Sequence, residues 1–348
     1  MKIEKTDCFL CIKRSSLPLI ILSMFILLAV FPGCKEESKT EIPQVDSAAV
    51  RDSLAVLEEN NFQITYHYFP RHGRTSYYGL SGRYNQEQLK IILALNRLDK
   101  KNFGRRDSVV IPDTFLTDFN RYSPFPARIK IADPVKKLVL FSYRIQAYAA
   151  YEHGLLVKWG PTSMGKRTAL TPTGLFHTTW KAKETKSTIN PSWILPWAFN
   201  LDNFEGVSMH EFDLPGYPAS HACARLWSED AQWMYYWAEQ WIVTDDEEDV
   251  VAYGTPVIIY GEYEFGQKPP WHFLPQSPDT TTEGLDVAGG IVYNYLDKIV
   301  DRQKSRDSIV AERAKQREER LKQKKLAAEE AKKHKDTDKK KIHKKGER

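Results

Sequence analysis

The chain has 348 residues, of which 42% are hydrophobic and 12% aromatic, with 50 Lys+Arg against 45 Asp+Glu. That length is enough for one full domain and a smaller one. The formal net charge of +5 is unevenly placed, because Asp301 to Arg348 carries 19 Lys+Arg and 10 Asp+Glu and the remainder is net acidic. The basicity therefore belongs to a tail, and a tail without aromatic residues for base stacking excludes nucleic acid as its partner.

Residues 1–33 read as an export signal. Lys2, Lys5, Lys13 and Arg14 form a basic start, and Leu17 to Phe31 an apolar run of fifteen residues, short for a membrane span and suited to a signal peptide. The run ends Ala29-Val30-Phe31-Pro32-Gly33-Cys34, which resembles a bacterial lipobox. The resemblance implies cleavage before Cys34 and lipidation of its sulfur. Cys34-Lys35-Glu36-Glu37 further resembles the surface-export tag of Bacteroidetes lipoproteins. The expected location is the cell envelope, with the body lipid-anchored to a membrane, the outer membrane first among candidates, and either periplasmic or surface-exposed. Cys8 and Cys11 have redox-like spacing but lie in the segment expected to be discarded.

Residues 34–53 are polar and charged, as a linker would be. Residues 54–115 predict a small α+β module, with Phe62 to Tyr66 alternating as a strand, Asn85 to Leu98 at helical spacing, and Val109 to Pro112 as a closing strand. Leu93 to Leu98 followed by Asp107 to Pro112 resembles the second half of a LysM glycan-binding module. From residue 127 to 263 the pattern becomes mostly β. Strand-like runs are Arg128–Ile131, Lys137–Ser142, Arg144–Tyr151 and Leu155–Pro161, with Glu152-His153-Gly154 as a hairpin turn. Thr171-Pro172-Thr173-Gly174 leads into a strand over Leu175 to Trp180, and Pro256 to Tyr260 is the last strand. One helix interrupts this region, with Ser228 as its cap, Glu229 and Asp230 at its positive end, and Ala231, Met234, Tyr235, Ala238 and Trp241 as a packing stripe. The insertion Asn190 to Phe199 is rich in aromatics and suits either a wall over a groove or a loop covering the core. Residues 264–300 are a Pro- and aromatic-containing extension with a short helix, and residues 301–348 a charged helical or disordered tail. The tail's charge suits anionic cell-envelope polymers or lipid headgroups, or a solubilising spacer.

Cys223 has no evident partner in an exported protein, which marks it as a reactive thiol. A thiol attacks as its thiolate and needs a base or a cationic neighbour. His210 and His221 are near, and Pro215, Gly216 and Pro218 allow the intervening loop to fold back. The amides around Ala222 and Cys223 suit an oxyanion site, and Arg225 a fixed positive charge for a substrate carboxylate.

The series His210, Ser220-His221-Ala222-Cys223-Ala224-Arg225-Leu226, Ser228 to Trp233 and Gly254-Thr255-Pro256-Val257 resembles the L,D-transpeptidase catalytic (YkuD) domain, as do Thr171 to Phe176 and Tyr151 to Val157. The resemblance covers residues 127–263. It implies a mainly β fold with few helices, a sandwich or curved sheet over a catalytic cleft. It also implies cysteine acyl transfer on peptidoglycan stem peptides, releasing D-alanine and passing the acyl group to an amine, with no cofactor. Cys223 matches the nucleophile and His210 the base, oriented by the carbonyl of Glu211. Ser220, His221 and Arg225 match supporting and substrate-positioning residues. Two residues depart from the family pattern. Ala222 stands where glycine is usual, and would cost about 1–2 kcal/mol if the position needs positive φ. Glu211 would place a carboxylate near His210 and favour the imidazolium.

Three rival readings stand beside this one. His210, His221 and Cys223 would be a ligand set for zinc. Water in place of the amine would make the enzyme a carboxypeptidase or endopeptidase. A third alternative is a peptidoglycan-binding protein of little activity.

Overall fold

A computed structural model describes residues 63–70, 77–105 and 108–345. The leader, Cys34, the linker to residue 53 and Phe62 lie outside the described residues. Strands β1 (Tyr66–Pro70) and β2 (Ser108–Pro112) pair antiparallel, with Tyr66 opposite Pro112. Between them lie helices α1 (Tyr77–Ser81) and α2 (Gln86–Leu95). Asn85 caps α2 through a reciprocal box with Gln88, satisfying two otherwise orphaned amides. The helix ends at Leu95 because Asn96 turns its side-chain amide onto Ile92 and Val110, closing α2 against β2. The first strand begins at Tyr66, four residues later than the sequence pattern places it.

The body is a two-layer β structure. Its strands are β3 (Leu138–Ser142), β4 (Ala147–Glu152), β5 (Leu155–Pro161), β6 (Gly174–His177), β7 (Lys181–Lys186), β8 (Ile194–Asp202), β9 (Val207–Glu211), β10 (Ala224–Leu226), β11 (Ile242–Val243), β12 (Val250–Ala252) and β13 (Pro256–Tyr260), with helix α3 (Ser228–Trp237) after β10. A five-stranded sheet has the order β5-β4-β3-β13-β6, and a four-stranded sheet the order β10-β9-β8-β7. The β4–β5 turn takes positive φ at both His153 (47°) and Gly154 (73°), as a two-residue hairpin requires.

The apolar run Leu138 to Phe141 has no polar alternation because β3 is covered on both faces. Val139 and Phe141 face Phe199, Met209, Ala224 and the α3 residues Ala231 and Met234. Leu138 and Leu140 face Ala288 of α4 (Leu285–Tyr293) and Ile299 of α5 (Leu296–Lys345). The tail thus continues as one helix, whose residues from Ala311 to Lys333 are exposed. Among the described residues no helix is long and apolar enough to cross a membrane.

Two local expectations are corrected. Arg128–Ile131 is no strand. Arg128 makes a single bridge to Leu155, and Lys130–Ala132 is a tight helical turn with Ala132 buried. Ser228 does not cap α3. Trp227 occupies the cap position without a side-chain bond, and the Ser228 hydroxyl goes to the Glu211 carboxylate at 2.7 Å. Asp230 stands in the first turn of α3 as expected and also pairs with Lys158 at 2.8 Å, with only 2% of its side chain exposed.

Candidate active site

Strand alternation assembles the site. β9 and β10 run parallel, with Met209 beside Ala224 and His210 beside Arg225. Met209, Ala224 and Leu226 turn into the core, so Ser208, His210, Cys223 and Arg225 take the opposite face. All four line one cavity of about 330 Å³. The β7–β8 hairpin forms its other wall through Thr185, Ile189, Trp193 and Leu195. The aromatic insertion therefore divides: Trp193 walls the cavity, while Ala198 and Phe199 are fully buried in the core.

Cys223 is the cysteine among the described residues, and its thiol is free. Its sulfur lies 3.4 Å from Ser208 Oγ and 3.5 Å from the Gly206 carbonyl. His210 is 4% exposed, and its Nδ1 sits 2.9 Å from the Glu211 carbonyl. Donation from Nδ1 to that carbonyl leaves the lone pair of the neutral ring on Nε2. Burial lowers the His210 pKa to about 4; the Glu211 carbonyl opposes the shift and the Arg225 charge adds to it. The expectation that Glu211 would favour the imidazolium is thereby corrected. Its carboxylate projects to the far side of β9 and accepts from Ser228, leaving only its backbone on His210.

The residues around the thiol have separate tasks. Ser220 donates to the Cys223 carbonyl at 2.6 Å, pinning the turn. Ala222 has φ of 81°, the left-handed conformation that glycine would adopt without strain. His221 turns to Lys166, Nε2 to Nζ 2.6 Å, and its pKa is lowered by burial, Lys166 and Arg225. Arg225 donates to the carbonyls of Asp213 and Ala219 and stacks over Phe212, so much of its guanidinium holds the loop between His210 and Cys223. Among the described residues no group of three or more His, Cys, Asp or Glu is placed to hold a metal ion.

That loop is also strapped from outside the body. Asp99, just after α2, donates its N–H to the Leu214 carbonyl at 3.0 Å and accepts from the Leu214 N–H at 2.7 Å. Lys101 pairs with Asp213 at 3.1 Å, and Ser163 holds Tyr217 and Ala219. Sequence reasoning missed Asp99, Lys166 and Ser208. Only Ser208 carried a local signal, the alternation Val207-Ser208-Met209-His210 that marks β9.

The two-sheet fold with a free thiol and a buried neutral imidazole in one cavity defines a candidate thiol enzyme. Residues 137–259 match the family model YkuD, the L,D-transpeptidase catalytic domain. No curated protein matches the chain. Among solved structures, the chain is similar to an L,D-transpeptidase from Stackebrandtia nassauensis at 20% identity, covering 37% of this chain and 57% of that one with a TM-score of 0.30. An L,D-transpeptidase from Mycobacterium smegmatis is similar at 20% identity, covering 36% and 59% with a TM-score of 0.29. One from Mycobacterium tuberculosis H37Rv is similar at 20% identity, covering 44% and 72% with a TM-score of 0.28. The matched stretch spans less than two thirds of the first two of these structures.

Proposed function

We propose that the protein is an acyltransferase of peptidoglycan stem peptides, using Cys223 as nucleophile and His210 as base. The observation that carries this reading is the placement of Ser208, His210, Cys223 and Arg225 on one face of the β9–β10 pair, inside the segment that matches the family. Nε2 of neutral His210 takes the Cys223 proton as the sulfur attacks the carbonyl between a diamino-acid residue and a terminal D-alanine. The oxygen becomes an oxyanion. The backbone N–H groups of His221, Ala222 and Cys223 have no acceptor among the described residues, and a left-handed residue among them is the backbone arrangement that turns successive N–H groups inward. The intermediate collapses, His210 returns the proton to the departing D-alanine amine, and a thioester remains on Sγ. An amine from a neighbouring stem then attacks it, losing its proton to His210, and a 3–3 crosslink forms with the thiol restored.

Membrane attachment through lipidated Cys34 is part of the same proposal. Cys34→Ser is expected to move the protein from the membrane to the soluble fraction.

The enzymatic reading is tested by mass spectrometry of the protein after incubation with a stem tetrapeptide, then with an amine acceptor. Expected is an acyl adduct on Cys223 that the acceptor discharges into a crosslinked peptide and that Cys223→Ala lacks. Discharge to free tripeptide alone assigns the same thiol to carboxypeptidase chemistry. Absence of any adduct refutes the enzymatic reading.

A further inference from the structure

At the junction of the β1–β2 module with the body, Arg97 is only 1% exposed. Its Nε donates to the Ile145 carbonyl at 2.8 Å and its Nη1 to the Ala94 and Leu95 carbonyls at 2.6 and 3.3 Å. The rings of Trp159 and Trp271 lie 5.8 and 5.2 Å from the guanidinium carbon. No carboxylate among the described residues pairs with it. A buried guanidinium with neutral partners alone carries an uncompensated desolvation cost. The direction of its pKa agrees, lowered by burial to about 9 with only Tyr66 acting against the shift.

Arg97 lines a cavity of about 170 Å³ together with Tyr66, Arg121, Tyr122, Ser123 and Asp279. The hydroxyls of Tyr122 and Ser123 are engaged with backbone groups. No hydrogen bond of Arg97 Nη2 or of the Tyr66 hydroxyl is made among the described residues, and both residues line the cavity. Two unspent donors, one fully charged and rigidly held, therefore converge on a polar chamber. That is the complement of an oxyanion, because planar guanidinium donors match paired oxygens. Asp279 is the single carboxylate in the lining, against two arginines.

We propose that this cavity is a binding site for one small oxyanion, a phosphate or carboxylate group, held by Arg97 Nη2 and Tyr66 Oη. The anion neutralises the buried guanidinium and locks the module onto the β3–β4 corner, where Arg97 already holds Ile145. The site stands independently of the chemistry at Cys223.

Isothermal titration of the full chain at constant ionic strength tests it, with inorganic phosphate in one arm and acetate in the other. One saturable site is expected, and the stronger arm tells a tetrahedral oxyanion from a carboxylate. Tyr66→Phe, which removes a single hydroxyl, is expected to weaken binding about tenfold. Arg97→Gln is expected to abolish it, with a cooperative melt as the check that this variant is folded. No saturable heat below about 10 mM in either arm overturns the site, since that limit lies beyond a useful affinity. Equal affinity of the wild type and Tyr66→Phe, or an equal response to chloride, overturns it as well.

Discussion

Ala222 precedes the thiol with φ of 81°, so the residue and its conformation are mismatched in a way that a single substitution can measure. An L-residue in the left-handed region is destabilised by about 1–2 kcal/mol relative to glycine, through the clash of Cβ with the carbonyl oxygen. Glycine recovers that strain but gives the unfolded chain more freedom, which takes back about 0.5–1 kcal/mol. The net gain expected for Ala222→Gly is about 1 kcal/mol, or a rise in Tm of roughly 2–4 °C for a domain of this size. Ala222→Val should move the other way by more than the glycine gain, because a β-branched side chain tolerates positive φ least. Urea unfolding and calorimetry of the three proteins provide the measurement, with an unchanged m-value as the sign that only the native turn was altered. A lower Tm for Ala222→Gly would refute the reasoning. It would mean that the Ser220 hydroxyl on the Cys223 carbonyl holds the turn at no strain, and that alanine is there to stiffen it.

The folded pKa of His210, near 4, lies below the ordinary histidine value of 6.5. The unfolded chain therefore binds the extra proton first, and stability fully present above pH 6.5 is lost as pH falls towards 4. The shift corresponds to about 3 kcal/mol. His177 is lowered in the same direction, so the His210 share is read as the difference between wild type and His210→Gln in urea midpoints at pH 7 and pH 4.5. Ser208→Ala removes the hydroxyl beside the Cys223 sulfur and should slow iodoacetamide labelling at pH 7 about three- to tenfold, a normal hydrogen-bond increment; an unchanged rate would sink that role. Asp99→Ala cuts the strap on Leu214 and is expected to lose about 1–3 kcal/mol and to speed proteolysis within residues 212–219, whereas equal cleavage would show the loop to be self-supporting. Lys158→Met leaves the Asp230 carboxylate buried without its cation, so a loss of about 3 kcal/mol at neutral pH is expected, shrinking in acid as Asp230 takes a proton. A pH-independent loss would argue for packing instead.

What the sequence made legible were features whose cause is local. The β4–β5 hairpin follows from alternating runs around His153 and Gly154, and α2 from helical apolar spacing between Asn85 and Leu98. The segment that became the fold's second sheet was harder to see. β7 is Lys181-Ala182-Lys183-Glu184-Thr185-Lys186, with no apolar face, because it is an edge strand whose partner β8 supplies the burial. The motif around Cys223 named the thiol and the imidazole, but not how each is tuned. The burial of His210 comes on the cavity face of β9, with Phe212 against its ring and the β7–β8 hairpin forming the other wall, and the direction of the Glu211 side chain from strand alternation at the end of β9. A carboxylate next in sequence to a histidine is, in a strand, on the other side of the sheet. Asp99 and Arg97 could not be read at all, since each acts on a carbonyl far away in the chain.

The connection from β9 to β10 explains why such distant residues bear on the site. Parallel neighbours need a crossover of about a dozen residues, normally filled by a helix that packs and satisfies its own backbone. Here residues 212–223 make the crossover without helix or strand, so its polar groups need outside partners. Asp99 takes Leu214, Ser163 takes Tyr217 and Ala219, and Arg225 takes Asp213 and Ala219. The thiol's position relative to His210 is therefore set at both ends of the loop by strand register and along its length by groups from three parts of the chain. The β1–β2 module is, on this argument, part of the scaffold of the cavity and more than a neighbour of it. Removing the module would free the loop before it touched either sheet, and Cys223 would lose its alignment while the body kept its core.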